Sequence, residues 1–108
     1  MYKVPVYNNV CDRDVISRVR YNERLDRWNG SNWQNGGVGR HLGITRLQDG
    51  RFVLIYGTQW EGERDYGLIA TDREALDEIL RSGNDDLLED KRFAPLKALA
   101  EKLMPEIV

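Results

Sequence analysis

One histidine, one cysteine and three tryptophans among 108 residues set narrow limits on the chemistry open to this chain. His41 is the only side chain whose ordinary pKa lies near neutrality, so any imidazole acid–base step must use it. It follows Arg40 at the end of a glycine-rich stretch, where it could share a hairpin face with Thr45, Tyr56 and Thr58. Glu61, Glu63 or Tyr56 would be its catalytic partners. Cys11 could act as a nucleophile only if folding brought it to His41, and no flanking signature supports that pair. The preferred reading of His41 is a hydrogen-bonding residue at a strand end, and the chain is not expected to be an enzyme.

Metal and phosphate-loop chemistry fare no better. One His and one Cys, without C-x-x-C or H-x-x-x-H spacing, cannot build a usual zinc site. The carboxylates Asp85, Asp86, Glu89 and Asp90 read as a solvated helix start, where negative charge suits the macrodipole. Gly36-Gly37-Val38-Gly39-Arg40 lacks the Lys-Ser/Thr and the following helix that a phosphate loop requires, which leaves a generic anion contact. No cofactor and no metal are implied.

Binding chemistry is better represented. Trp28, Asn32, Trp33, Arg40, His41, Gln59 and Trp60 cluster around a loop rich in glycine and asparagine, the composition of an interface hot spot. That surface points to another protein as partner, with the chain acting as an adaptor, regulator or inhibitor of a larger machine. Its size and composition are those of small phage or mobile-element accessory proteins. The alternative is single-stranded nucleic acid or a phosphorylated small ligand, held on Arg18, Arg20, Arg24 and Arg27 with neighbouring aromatics. Tyr21 has the opposite parity to Arg18 and Arg20 and should point into the core.

The elements that must position these residues divide the chain in two. Residues 1–70 read as a mainly antiparallel sheet of about four to five strands. Residues 71–108 read as two to three helices packed on it, giving one α+β domain over 1–108. Tyr2-Lys-Val-Pro-Val-Tyr7 is a strand that Pro5 should place at an edge or make irregular. Residues 15–28 alternate, with Val15, Val19, Tyr21 and Leu25 on one face and Arg18, Arg20 and Arg24 on the other. Residues 29–40 form a long loop.

Asp49-Gly50 separates two strand-like runs and suits a two-residue hairpin turn pairing Leu47 with Phe52, Thr45 with Leu54 and Ile44 with Ile55. That register puts Leu42, Ile44, Val53 and Ile55 on one face and Leu47, Phe52, Leu54 and Tyr56 on the other. Helices would cover one face, and the N-terminal strands or a second copy the other, so a monomer and a homodimer both fit. Thr71-Asp-Arg-Glu74 is a capping box, Gly83 ends that helix, and Phe93, Leu96, Leu99 and Leu103 mark the buried stripe of the last one.

Composition and charge bound the rest. The chain is 41% hydrophobic with a net charge of −2, values that suit a folded domain and argue against disorder. The lone cysteine excludes an intramolecular disulfide, and the absence of an apolar leader or a long apolar run predicts a cytoplasmic protein without membrane contact. The net charge hides an asymmetry: residues 1–60 hold nine Lys/Arg and five Asp/Glu, whereas residues 61–108 hold seven and thirteen. The basic half also carries eight of the ten aromatics. Function is to be sought there.

Overall fold

A computed structural model of the chain describes residues 3–9, 11–25, 40–58, 62 and 64–103. It is an α+β fold, a five-stranded and mostly antiparallel sheet followed by two helices. The strands are β1 (Lys3–Tyr7), β2 (Ser17–Arg20), β3 (Arg40–Arg46), β4 (Phe52–Thr58) and β5 (Tyr66–Ala70), in the order β2-β1-β5-β4-β3. Helix α1 spans Asp72–Ser82 and α2 spans Ala94–Leu103, with short 3-10 turns at Asp85–Glu89 and Lys91–Phe93 between them. Among the described residues, no helix is long and apolar enough to cross a membrane.

Two strands differ from expectation. β1 lies inside the sheet, between β2 and β5, despite Pro5. The Val6 carbonyl accepts from the Ile16 N–H at 2.9 Å, so strand alternation turns Pro5 toward β5. The parallel bridges to β5 begin one residue later, at Val6–Gly67 and Tyr7–Leu68, so the missing donor falls before the ladder it would interrupt. β2 is also shorter than the alternating pattern of residues 15–28 implies, and Val15 is 42% exposed.

β2 ends early because the chain beyond it leaves β1 and crosses to β3, the far end of the sheet. The Asn22 side-chain amide donates to the Ile44 carbonyl and accepts from the Ile44 N–H, both at 3.1 Å, in the manner of a paired strand. Leu25 N–H then donates to the Leu42 carbonyl at 3.0 Å. The sheet thus curls until the continuation of one edge meets the other, and backbone groups of β3 find partners there.

Curling creates two cores. Inside it, Val4, Val6, Val19, Val53 and Ile55 are buried with Tyr21, Leu47 and Ile69 against them. The chain's own first strands therefore cover the second face of the hairpin. On the outer face, Leu42, Ile44, Phe52, Leu54 and Ala70 meet Ala75, Leu76 and Ile79 of α1 and Phe93 and Leu96 at the α2 end. The Phe52 and Phe93 rings stack 5.9 Å apart. Each such aliphatic or aromatic side chain contributes about 1.5–3 kcal/mol by leaving water.

The hairpin register is one residue from that expected, pairing Arg46 with Phe52, Thr45 with Val53 and Ile44 with Leu54. Leu47 N–H donates to the Arg51 carbonyl and Gly50 N–H to the Leu47 carbonyl, with Gly50 at φ +98°. This is a three-residue loop whose left-handed glycine absorbs one residue, where two residues were expected. The shift turns β3 over relative to β4. Leu42 and Ile44 join Phe52, Leu54 and Tyr56 under the helices, while His41, Gly43 and Thr45 face inward with Val53, Ile55 and Gly57.

The helical part follows its sequence closely. Thr71 accepts from the Glu74 N–H and the Glu74 carboxylate accepts from the Thr71 N–H, closing the capping box. Gly83 ends α1 in a left-handed conformation at φ 76°. Thr71→Ala should lower stability by about 1 kcal/mol, read as a reduced urea midpoint with unchanged m-value. Tyr56 is half-buried, and its hydroxyl is pushed up by burial and then by Glu78 and Tyr66. A raised folded pKa means a contribution that is full below about pH 10 and is lost as pH rises through the folded value. Tyr56→Phe should therefore flatten the decline in thermal stability on the alkaline side.

Candidate functional site

The curl does not close completely. Between β2 and the loop end of the β3–β4 hairpin it leaves a groove of about 910 Å³ with Ile16, Val19, Tyr21 and Leu47 among its lining. Seven cations surround it: Lys3 from β1, Arg18 and Arg20 from β2, Arg24 beyond it, Arg46 at the end of β3, Arg51 in the hairpin loop and Arg92 in the second 3-10 turn. Asp49 is the one carboxylate among the described lining residues. Its carboxyl is held below the usual range by hydrogen bonds from the Arg51 side chain and backbone, so it stays ionised and paired with Arg51.

Arg46 and Arg92 carry most of the geometric information. Arg46 Nε donates to the Gly50 carbonyl at 3.1 Å and Nη1 to the Arg92 carbonyl at 3.2 Å, and its guanidinium lies 5.3 Å above the Phe52 ring. Arg92 Nη2 donates to Thr45 Oγ1 at 2.7 Å and to the Arg46 carbonyl at 3.4 Å. Every one of those acceptors is neutral. Each guanidinium is tied to the other residue's backbone carbonyl in one cationic cluster, and no carboxylate pairs with either among the described residues. Holding them there costs Coulomb energy that a bound anion would recover.

The residues singled out by sequence divide sharply. Arg18, Arg20 and Arg24 are all exposed and all line the groove. Trp28, Asn32, Trp33, Gln59, Trp60 and Arg27 lie outside the described residues, as does the side chain of Arg40, whose backbone opens β3. The glycine-rich segment 36–39, Glu61 and Glu63 lie outside them too. His41 is 4% exposed and lines neither this groove nor a second one that lies over β1 and β5. Its Nδ1 lies 3.4 Å from Glu23 Oε2, which also accepts from the Tyr21 hydroxyl at 3.1 Å. The expected face shared by His41, Tyr56 and Thr58 is not formed, because the one-residue register shift puts Tyr56 and Thr58 on the outside.

Lys3, Arg46, Arg51 and Arg92 were not singled out by sequence. Their only signal was membership of a basic N-terminal half, and Arg92 lacks even that. The chain matches no protein-family model, no curated protein and no solved structure.

Proposed function

We propose that this domain is a non-catalytic binder of single-stranded nucleic acid, whose sugar–phosphate backbone runs along the groove between β2 and the β3–β4 hairpin. The observation that carries this reading is the Arg46–Arg92 pair, locked by neutral acceptors amid five further cations and one carboxylate among the described lining residues. A net charge of −2 is no obstacle, since polyanion binding depends on the local field and not on the sum over the chain. A single strand suits the shape better than a duplex. The site is concave, whereas duplex readers insert a projecting helix or ribbon into a groove of the nucleic acid. Arg18 and Arg20, two residues apart on one strand, repeat at about 6.6 Å, a spacing that follows an extended strand.

Of the surface expected to meet a protein, His41 is the one residue with a described side chain, and it is buried; the other six lie outside the described side chains. The two partners separate in one measurement. Fluorescence anisotropy with labelled oligothymidylate should show affinity falling about a hundredfold between 50 and 200 mM salt, the behaviour of a ligand that engages four to six cations. Equal or tighter binding of an oligoglutamate peptide of matched charge would redirect the site to an acidic protein. No salt-sensitive binding of either would end the reading.

A further inference from the structure

Among the described residues, the core under the helices takes in residues of β3, β4 and β5 and none of β1 or β2, whose outer face lies beyond it. There lies a second groove of about 900 Å³, floored by Pro5 and Tyr7 of β1 and Tyr66 and Leu68 of β5. All four are half-buried, so they present apolar and aromatic surface to whatever enters. The Tyr66 ring is held by a stack with Tyr56 at 5.2 Å between centroids. The rim carries the cations Arg13, Arg18 and Arg64 and the carboxylate Asp12, all exposed. Asp65, also on the rim, already accepts from the Thr58 N–H at 2.8 Å.

Arg18 lines this groove and the basic groove alike, so the two adjoin around β2. Their chemistry is complementary. Among the described lining residues, one offers seven cations and a single aromatic ring, Tyr21; the other offers two tyrosine rings beside the guanidinium groups of Arg13, Arg18 and Arg64. We infer that the groove over β1 and β5 is a nucleobase pocket, receiving a base of the strand whose phosphates lie against Arg18 and the basic groove. Base–aromatic contact adds affinity without reading sequence, because every base has a π-face. This inference extends the reading of the basic groove, and its test separates the two.

Two labelled strands about ten nucleotides long serve as probes, oligothymidylate and its abasic counterpart. The protein should prefer the base-bearing strand by about tenfold. Tyr7→Ala should abolish that preference while leaving the salt dependence intact, and Arg20→Glu should weaken both strands equally. Equal affinity for the two strands, or a preference that survives Tyr7→Ala, overturns the pocket and leaves the basic groove standing. If neither strand binds, the reading of the basic groove fails, and the pocket is decided by thymidine monophosphate alone. Amide shifts at Tyr7, Tyr66 and Leu68 with millimolar nucleotide would then support it, and unchanged spectra would overturn it.

Discussion

Gly43→Ala should destabilise the protein by about 3 kcal/mol, at the upper end of what overpacking usually costs. A Cβ at this position would stand 2.1 Å from the Asn22 carbonyl oxygen, 2.3 Å from its Oδ1 and 2.8 Å from its carbonyl carbon. Two of these are backbone atoms, which cannot rotate away. The sign is diagnostic, because alanine in place of a strand glycine is otherwise favourable by about 0.5–1 kcal/mol through the unfolded chain. Relief is available only if residues 22–25 lift from β3, and that breaks both amide bonds between Asn22 and Ile44.

Asn22→Ala removes the same two bonds directly and should cost about 1–3 kcal/mol, since Ile44 keeps a donor and an acceptor in a partly buried site. The double variant should fall short of the sum by about 1 kcal/mol, because part of each loss is shared. Urea denaturation with a constant m-value measures all three. A Gly43→Ala protein within about 0.5 kcal/mol of the parent would show that the chain after β2 does not seal the curled sheet.

Legibility followed the range of the interaction. The capping box at Thr71 and Glu74 and the glycine at 83 are contained within thirteen residues, and α1 was readable from them. The hairpin was found but misregistered, because Asp49-Gly50 occurs in two-residue and three-residue loops alike. Pro5 argued for an edge or an irregular strand, but its effect depends on which neighbour its nitrogen faces, and that is set by a strand more than fifty residues away. The same limit applied to the site. Arg18, Arg20 and Arg24 were visible as an alternating row, whereas Arg46, Arg51 and Arg92 reach them only because the sheet curls and the 3-10 turn docks on the hairpin. Helical acidity concealed the patch by drawing the net charge below zero. Alternation did place Tyr21 correctly: it packs on the inner core, over Gly57, where a Cβ would lie 2.2 Å from the tyrosine hydroxyl.

Combined reversal of Arg20 and Arg24 to glutamate should weaken oligothymidylate binding about a hundredfold at moderate salt, roughly tenfold for each site. The magnitude of the logarithmic salt slope should also fall, by about 0.7 for each phosphate no longer engaged. These two arginines suit the test because both are exposed and lie on one wall of the groove. Arg46 and Arg92 do not suit it, since their bonds to Gly50, Thr45 and each other's carbonyls also secure the hairpin end. Reversing Arg73 and Lys102, which stand on exposed positions of α1 and α2, changes net charge by the same amount and should leave binding within about twofold. Asp49→Asn should act in the opposite direction, because it removes the groove's described carboxylate and releases Arg51. The Asp49 pKa is lowered by its hydrogen bonds with Arg51, so the carboxylate is charged wherever an ordinary one is, and Asp49 itself should add no pH dependence to binding between about pH 5 and 8. If the Arg20/Arg24 reversal and the Arg73/Lys102 control weaken binding equally, net charge governs the interaction and the groove does not. A selective loss in the first variant would place the strand between β2 and the hairpin, where the curled sheet leaves its two edges apart and lines the gap with guanidinium groups.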